Sequence, residues 1–246
     1  PTKKVNIVSA LRVLFRFWKE EGLLERDFSQ FFESFRVRHP ERVPSFFTKE
    51  EVLMIENSIA RSNAVGKRNY AMTLLASRLG LRASDIANLK FGEIDWDNNL
   101  LTITMQKTRK VIQLPLLAEV GNSIVDYLKN GRPKSSLDQV FLSSRAPYTG
   151  ATKACVCAAI NEIILKSGAD VHLKHHGPHS LRHSLASAML SEETTLPVIS
   201  ESLGHRHTDT TMVYLKIDIP SLMKCALPVP SVAEGFYMQR GGAFYE

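Results

Sequence analysis

Residues 94–114 read IDWDNNLLTITMQKTRKVIQL, and this stretch decides which fold the chain adopts. It holds three short runs of apolar or β-branched residues, at 94–96, 101–105 and 111–114, with polar residues between them. Such runs, interrupted by Asp, Asn and Lys, are typical of strands that are joined by tight turns. The stretch therefore predicts a three-stranded antiparallel meander.

Helical periodicity flanks this meander on both sides. Thr48 followed by Glu51 is the capping-box pattern, and it opens a helix predicted to run to about residue 61. The next helix is predicted to end at Gly80, and Ser84 is expected to cap the one after it. The predicted fold class is mainly α with a small three-stranded antiparallel sheet. The remaining predicted helices cover 67–79, 116–130, 152–166, 180–191, 197–203 and 209–217.

The first 47 residues have a pattern of their own. Apolar side chains at helical spacing predict one helix over 3–21, and a group of phenylalanines predicts a second, short helix with one buried face. The run RVRHPERVPSFF at 36–47 has two prolines and no periodicity, which is typical of a linker. We therefore divide the chain into 1–47, 48–217 and a tail over 218–246. The phenylalanines are Phe28, Phe31, Phe32 and Phe35.

The composition is that of a globular protein, with 44% hydrophobic and 23% charged residues among 246. The 31 Lys and Arg residues outnumber the 25 Asp and Glu residues, and the net charge of +6 favours a polyanionic partner such as nucleic acid. Three cysteines without a CxxC pair indicate no disulfide framework and suit a reducing cytoplasm. No apolar run reaches the 18 residues that predict a membrane span, so we expect a cytoplasmic protein without a membrane partner.

Six side chains in four separate segments are suited to phosphate chemistry. Arginine presents paired donors that match a phosphate, histidine and lysine can move protons, and a tyrosine hydroxyl can act as nucleophile. The chain has neither a carboxylate cluster for Mg²⁺ nor a GxxxxGK[ST] loop, so side chains would have to neutralise the developing charge. In chain order the six are Arg82, Lys107, His179, Arg182, His205 and Tyr214.

Taken together, these residues resemble the catalytic set of the tyrosine recombinase (phage integrase) family, which runs Arg, Lys, His-x-x-Arg, His and Tyr. Each motif alone is common, but HSLRH at 179–183 with LGH ending nine residues before a tyrosine is specific. The resemblance covers about residues 48–217 and implies the catalytic domain of that family. It implies that 1–47 is a short or truncated helical core-binding domain with its linker. It also implies site-specific DNA recombination or integration.

The resemblance implies a role for each residue of the set. Arg82 and Arg182 would bind the non-bridging oxygens of the scissile phosphate, and His205 would donate a hydrogen bond to a phosphate oxygen. Asp85 matches an acidic position of the family and would orient the neighbouring basic residues. No metal, ATP or other cofactor is implied, because the energy of the broken bond is kept in the protein–DNA linkage.

The resemblance implies that the remaining residues of the set carry out the cleavage and rejoining of the DNA strand. Tyr214 would attack phosphorus, form a 3′-phosphotyrosyl bond and release a 5′-hydroxyl. Lys107 would protonate that leaving oxygen, and His179 would assist proton transfer at the tyrosine. The 5′-hydroxyl of a partner strand would reverse the step.

Double-stranded DNA with specific recombination sites is the implied partner, bound by a dimer at each site and by a tetramer in the synapse. The turn around Lys107 lacks the glycine that is usual in the family, which leaves open whether Arg109 or Lys110 lies nearer the DNA. An apolar segment at 219–227 could link protomers or fold back on its own domain. The basic residues expected to contact DNA are Arg36, Arg38, Arg42, Arg109 and Lys110.

Three other function classes compete with this interpretation. A type IB topoisomerase shares the cleavage chemistry but would relax supercoils without sequence preference. A DNA-binding accessory protein without catalytic activity would have no need for Tyr214 and His205 together. His179 and His183 are four residues apart, as zinc ligands can be, but neither an HExxH glutamate nor a third ligand at a suitable spacing accompanies them.

Overall fold

A computed structural model describes residues 2–32, 45–172, 174–205 and 209–212. The chain divides into two compact units, Pro1–Arg42 and Val43–Glu246, and each is described by itself. Within the described part, no helix is both long enough and apolar enough to cross a membrane.

The first unit contains helix α1 (Thr2–Glu20) and a five-residue 3-10 helix (Phe28–Phe32). The Phe15 ring of α1 stacks on Phe32, with ring centroids 5.6 Å apart. Phe31 is nevertheless 75% exposed, and Phe28 is also exposed, so the prediction of one buried phenylalanine face is wrong for these two residues. A 3-10 helix has three residues per turn, which places Phe28 and Phe31 above one another on the outer side. Phe35 lies outside the described residues.

Helix α2 (Lys49–Asn57) opens the second unit, and its capping box is confirmed. The Thr48 side chain accepts a hydrogen bond from the backbone N–H of Glu51 at 3.3 Å, and the Glu51 carboxylate accepts one from the Thr48 N–H at 2.8 Å. Two of the N–H groups at the helix start are thereby satisfied. The helix ends four residues earlier than predicted.

The helices that follow agree with the predicted ones except around residues 63–84, and residues 213–217 of the last predicted helix lie outside the described residues. Helix α3 begins three residues early because the Asn63 side chain accepts a hydrogen bond from Gly66 N at 2.7 Å and so acts as the N-cap. The prediction that Ser84 is an N-cap is wrong, since Arg82 holds that position and Ser84 lies inside the helix. These helices are α3 (Ala64–Ser77), α4 (Ala83–Ala87), α5 (Ala118–Asn130), α6 (Lys153–Lys166), α7 (Pro178–Ser191), α8 (Leu196–Ser202) and α9 (Asp209–Met212).

The predicted meander is confirmed as the strands β1 (Ile94–Asp95), β2 (Leu100–Thr104) and β3 (Val111–Pro115), which are antiparallel in the order β1-β2-β3. A 3-10 turn (Phe91–Glu93) precedes it. Burial alternates along β2 and β3, as expected for a sheet with one face on the core. The paired positions Leu101↔Leu114 and Ile103↔Ile112 form that buried face.

Helix α3 is central to the second unit, because it packs against α5, α6 and α7. Its last turns are buried throughout, with Leu74 and Leu75 fully enclosed. The sheet contributes its apolar face to the same core. This packing places the C-terminal end of α3, the start of α7 and the β2–β3 turn around one region, which is the candidate site.

Candidate active site

A left-handed turn at the end of α3 positions Arg82. Gly80 has φ +62°, and the N–H of Leu81 donates a hydrogen bond to the carbonyl oxygen of Leu75 at 3.1 Å. This bond ends the helix. A Cβ on Gly80 would lie 2.7 Å from the Leu203 side chain and 3.0 Å from that of Leu185. A side chain at this position would therefore be strained, which favours glycine. The chain then enters α4, and the half-buried Arg82 is the residue before its first turn.

Arg182 is the most enclosed charged side chain near this turn, with 1% of its surface exposed. Its guanidinium donates hydrogen bonds to the carbonyl oxygen of Gly80, at 2.5 Å, and to that of Leu203. These contacts join the Arg82 turn to the segment before His205, and the phosphate-binding role that the resemblance implies for Arg182 stays a prediction. Arg182 therefore positions two other parts of the site.

Gly204 brings the His205 segment against the sheet. It adopts φ +59°, and a Cβ there would lie 3.2 Å from Ile112 and 3.3 Å from Met105. Thr108 in the β2–β3 turn donates its hydroxyl hydrogen bond to the Gly204 carbonyl at 3.4 Å. The segment with His205 is thus in contact with the turn that carries Lys107.

His205 is buried, with 7% of its surface exposed, and its Nδ1 lies 2.8 Å from the hydroxyl of Thr211. Burial lowers the pKa of His205 to about 3, and the nearby positive charges of Arg182 and Arg82 act in the same direction. His205 is therefore a neutral imidazole at physiological pH. Thr211 is a site residue that the sequence did not point to: a buried histidine requires a partner, but several hydroxyl groups near it in sequence could serve.

Helix α7 carries two adjacent imidazoles. Gly177, at φ +117°, and Pro178 start the helix, which places His179 in its first turn and His183 one turn later. The two ring centroids are 4.3 Å apart, with planes at 53°. Burial lowers the pKa of His183 to about 4, with smaller contributions from His179 and Arg182.

The pKa of His179 is also lowered, first by burial and then by the positive charges of Arg182, Arg82 and Lys107. Positive charges disfavour the imidazolium most strongly when they lie within a few ångströms of the ring. Three of the predicted basic residues, which come from different segments of the chain, therefore lie near the same imidazole.

Lys107 is exposed on the β2–β3 turn. The turn is closed by hydrogen bonds from Met105 N to Lys110 O at 2.9 Å and from Arg109 N to Met105 O at 2.8 Å. Arg109 adopts the left-handed conformation, at φ +57°, which glycine more commonly occupies. The turn therefore forms without glycine, and both Arg109 and Lys110 remain exposed.

Asp85 fixes the start of this turn. It is 2% exposed, and its Oδ1 accepts a hydrogen bond from the backbone N–H of Gln106 at 2.9 Å. Its Oδ2 is buried and accepts no hydrogen bond within the described ranges. This bond holds the backbone next to Lys107, and the orienting role that the resemblance implies for Asp85 stays a prediction.

Tyr214 lies outside the described residues, as do Arg36, Arg38, Arg42 and the tail after Met212. The other five members of the predicted set belong to the second unit, where the contacts above connect their segments. Among the described side chains, no group of three or more His, Cys, Asp or Glu could hold a metal ion.

The sequence pattern of the phage integrase family matches residues 45–219. The chain belongs to this family, the tyrosine recombinases. The resemblance noted in the sequence and the predicted fold class are both confirmed.

Relatives include y4rA of Sinorhizobium fredii, named as an integrase/recombinase, with 38% identity over 193 residues. That match covers 78% of this chain and 46% of y4rA, so the chain spans less than half the length of this relative. A second integrase/recombinase of that organism, y4gC, is 31% identical, over 76% of this chain and 97% of y4gC. Tyrosine recombinase XerA of Thermococcus kodakarensis is 31% identical, over 89% of this chain and 72% of its own.

Solved structures share the fold. The crystal structure of XerA recombinase has a TM-score of 0.63 at 19% identity, covering 92% of this chain and 74% of that one. XerH site-specific recombinase bound to its palindromic difH substrate, in a post-cleavage complex, also has a TM-score of 0.63, at 22% identity. It covers 75% of this chain and 53% of XerH.

Proposed function

We propose that the chain is a site-specific DNA recombinase that cleaves and rejoins DNA through a 3′-phosphotyrosyl intermediate, without metal or ATP. The observation that carries the proposal is the set of hydrogen bonds that joins the segments of Arg82, Lys107 and His205: Arg182 donates to the carbonyl groups of Gly80 and Leu203, and Thr108 donates to that of Gly204. Family membership supports the same conclusion. Relatives described as recombinases, one of them bound to its DNA substrate, support DNA as the partner.

Phosphate binding is the first step of the proposed mechanism. Arg82 would hold the non-bridging oxygens, and the charge of Arg182 would add to the positive potential there. If Thr211 donates its hydroxyl hydrogen to Nδ1 of His205, the proton of this neutral ring is on Nε2. Nε2–H could then donate to a phosphate oxygen. Fixed cationic and polar donors would neutralise the charge that develops in the transition state.

Nucleophilic attack is the second step. The Tyr214 oxygen bonds to phosphorus, and the bond from phosphorus to the 5′-oxygen breaks. His179 is suited to accept the tyrosine proton, because its lowered pKa keeps the ring neutral at physiological pH. The phosphate remains a diester, now joined to the DNA 3′ end and to Tyr214.

Protonation of the leaving 5′-oxygen is the third step. Lys107 is the proton donor in this proposal, on an exposed turn that Asp85 fixes through Gln106. A 5′-hydroxyl leaves and can later attack the phosphotyrosine of a partner strand. Because the number of phosphodiester bonds is conserved, the exchange requires no external energy source.

Duplex DNA is the proposed partner. A protein that acts on genomic DNA is expected in the cytoplasm, where that DNA lies. Residues 1–47 would act as a helical DNA-binding domain with its linker, and 48–217 as the catalytic domain. We expect a dimer on each site and a tetramer at synapsis, with 218–246 linking protomers. Phosphate contacts would make the affinity strongly salt-dependent. The proposed contacts are Arg36, Arg38, Arg42, Arg109 and Lys110.

Covalent capture tests this function. The protein is incubated with fragmented genomic DNA from the organism that encodes it, denatured and captured, and the attached DNA ends are sequenced. We expect attachment at discrete sites for the unaltered protein and none for Tyr214→Phe. Attachment at scattered positions, with relaxation of supercoiled plasmid, would favour a topoisomerase. Salt-sensitive DNA binding without attachment would favour an accessory binding protein and contradict the proposal.

A further inference from the structure

The ring of His183 packs against the histidine on which the proposed tyrosine activation depends. Residues four apart on a helix lie on the same face, and α7 places the His183 ring centroid 4.3 Å from that of His179. The His183 side chain is half-buried, whereas His179 keeps an exposed surface on the side away from His183. The His183 ring therefore occupies space beside His179 that water would otherwise fill.

We propose that His183 is a positioning residue for His179: its ring covers one face of the His179 ring, limits its rotation and keeps water away from that face. His179 is thereby held as a neutral base facing the site. This inference rests on the proposed function, in which His179 accepts the Tyr214 proton.

The charged groups around the pair make such cover useful. Arg182 comes from α7 itself, Arg82 from the start of α4 and Lys107 from the β2–β3 turn; all three oppose protonation of His179. The neutral His205, from the segment after α8, also lies within electrostatic reach of both imidazoles. Water admitted beside His179 would screen these charges and stabilise the imidazolium.

His183 fits this role better than a charged or fully exposed side chain would. Its pKa of about 4 leaves it uncharged over the range in which tyrosine activation takes place. A side chain that only stabilised the packing of α7, without covering the His179 ring, would have no effect on the protonation of His179. The two roles can therefore be separated by measuring that protonation directly.

The experiment is an NMR titration of the His179 ring in the free protein, assigned with a His179→Gln variant, alongside the pH profile of covalent DNA attachment. His183→Ala removes the ring, whereas the matched control His183→Phe keeps an uncharged ring of similar shape. We expect the pKa of His179 to rise in His183→Ala and to stay equal or fall in His183→Phe. The attachment rate of His183→Ala should fall roughly tenfold or more at neutral pH, with the acid limb of its profile at higher pH. His183→Phe should attach DNA within about twofold of the unaltered rate.

Other outcomes separate a failure of the His183 inference from a failure of the proposed recombinase function. An unchanged His179 titration in His183→Ala overturns the inference, whether or not the protein attaches to DNA. A raised pKa in a protein whose unaltered form never attaches to DNA supports the pairing and contradicts the proposed function. If circular dichroism shows that His183→Ala is unfolded, His183→Gln replaces it with the same expectations. If both are unfolded while His183→Phe is folded, the role is packing alone and the inference is wrong.

Discussion

Arg182 and Lys107 supply positive charge to the same site from opposite surroundings. Arg182 is 1% exposed and donates to the carbonyl groups of Gly80 and Leu203, so its position is tied to the core. Lys107 is exposed on a turn, and what holds that turn is the backbone bond from Gln106 to Asp85. The first arrangement fixes a guanidinium, whereas the second fixes only the backbone beneath a side chain.

The contrast between the buried Arg182 and the exposed Lys107 shows what each position requires for its proposed role. A buried, hydrogen-bonded arginine provides a charge that need not reorganise during reaction, which is how preorganised electrostatic stabilisation works. A proton donor must instead reach its acceptor and exchange with solvent afterwards, which suits a lysine on an exposed turn. Mutations on the two sides should accordingly affect different measurements.

The largest expected effect is a loss of cleavage rate when the exposed Lys107 is replaced. Lys107→Ala should slow DNA cleavage by roughly 100- to 10,000-fold, the usual contribution of general acid catalysis. Its free energy of unfolding should change by less than about 0.5 kcal/mol, because an exposed side chain is removed. Single-turnover cleavage and urea unfolding measure the two quantities. Lys110→Ala is the matched control on the same turn, and an equal loss of rate in both variants would argue against a special role for Lys107.

Replacement of the buried Arg182 should lower the free energy of unfolding. Arg182→Ala leaves the carbonyl groups of Gly80 and Leu203 without their donor, which should cost about 2–5 kcal/mol of unfolding free energy. Urea unfolding of the DNA-free protein measures this loss. The exposed Arg109→Ala should change it by less than about 0.5 kcal/mol. A loss below about 1 kcal/mol in Arg182→Ala would show that its hydrogen bonds do not hold the site together.

A smaller loss of stability is expected at Gly204, where the His205 segment packs against the sheet. Gly204→Ala forces a left-handed conformation on alanine and presses its Cβ on Met105 and Ile112, which should cost about 1–3 kcal/mol. A Cβ at Gly92 meets no atom within 4 Å, so Gly92→Ala is the control, expected within about 0.5 kcal/mol. Thermal unfolding compares the two. Equal stabilities would remove the argument that close packing joins the His205 segment to the sheet.

The last prediction is a pH dependence of folding stability that arises from His183 and His205. The pKa of His183 is lowered to about 4 and that of His205 to about 3, from an ordinary value of 6.5. Between these values the unfolded chain binds more protons than the folded one, so folding stability is complete above pH 6.5 and declines as the pH falls toward 3. Urea unfolding at several pH values should show a shallower decline in a variant with His183→Phe and His205→Gln. Identical slopes would contradict the assigned burial.

The sequence predicted those features that short-range signals encode. The capping box at Thr48, the alternation of β2 and β3 and the break at Gly80 each depend on residues only a few positions apart. Where two local signals competed, the prediction failed: Ser84 is a good N-cap residue, but the turn at Gly80 already starts α4 at Ala83.

The candidate site was predictable as a set of residue types but not as a set of contacts. Arg182 and Gly80 are 102 positions apart, and Asp85 and Gln106 are 21 apart. No local pattern determines that a buried guanidinium binds carbonyl groups or that a carboxylate binds a backbone N–H. Those pairings follow from the packing of α3, α7 and the sheet, which periodicity alone does not fix.

Sulfur substitution of the leaving oxygen tests most directly whether the exposed turn is the proton donor. A DNA strand with sulfur at the 5′-bridging position of the captured site releases a thiolate, which leaves readily without a proton. We predict that Lys107→Ala cleaves this strand within about tenfold of the unaltered protein, while Arg82→Ala remains slow on both strands. If Lys107→Ala is as slow on the sulfur strand as on the oxygen strand, Lys107 is not the general acid.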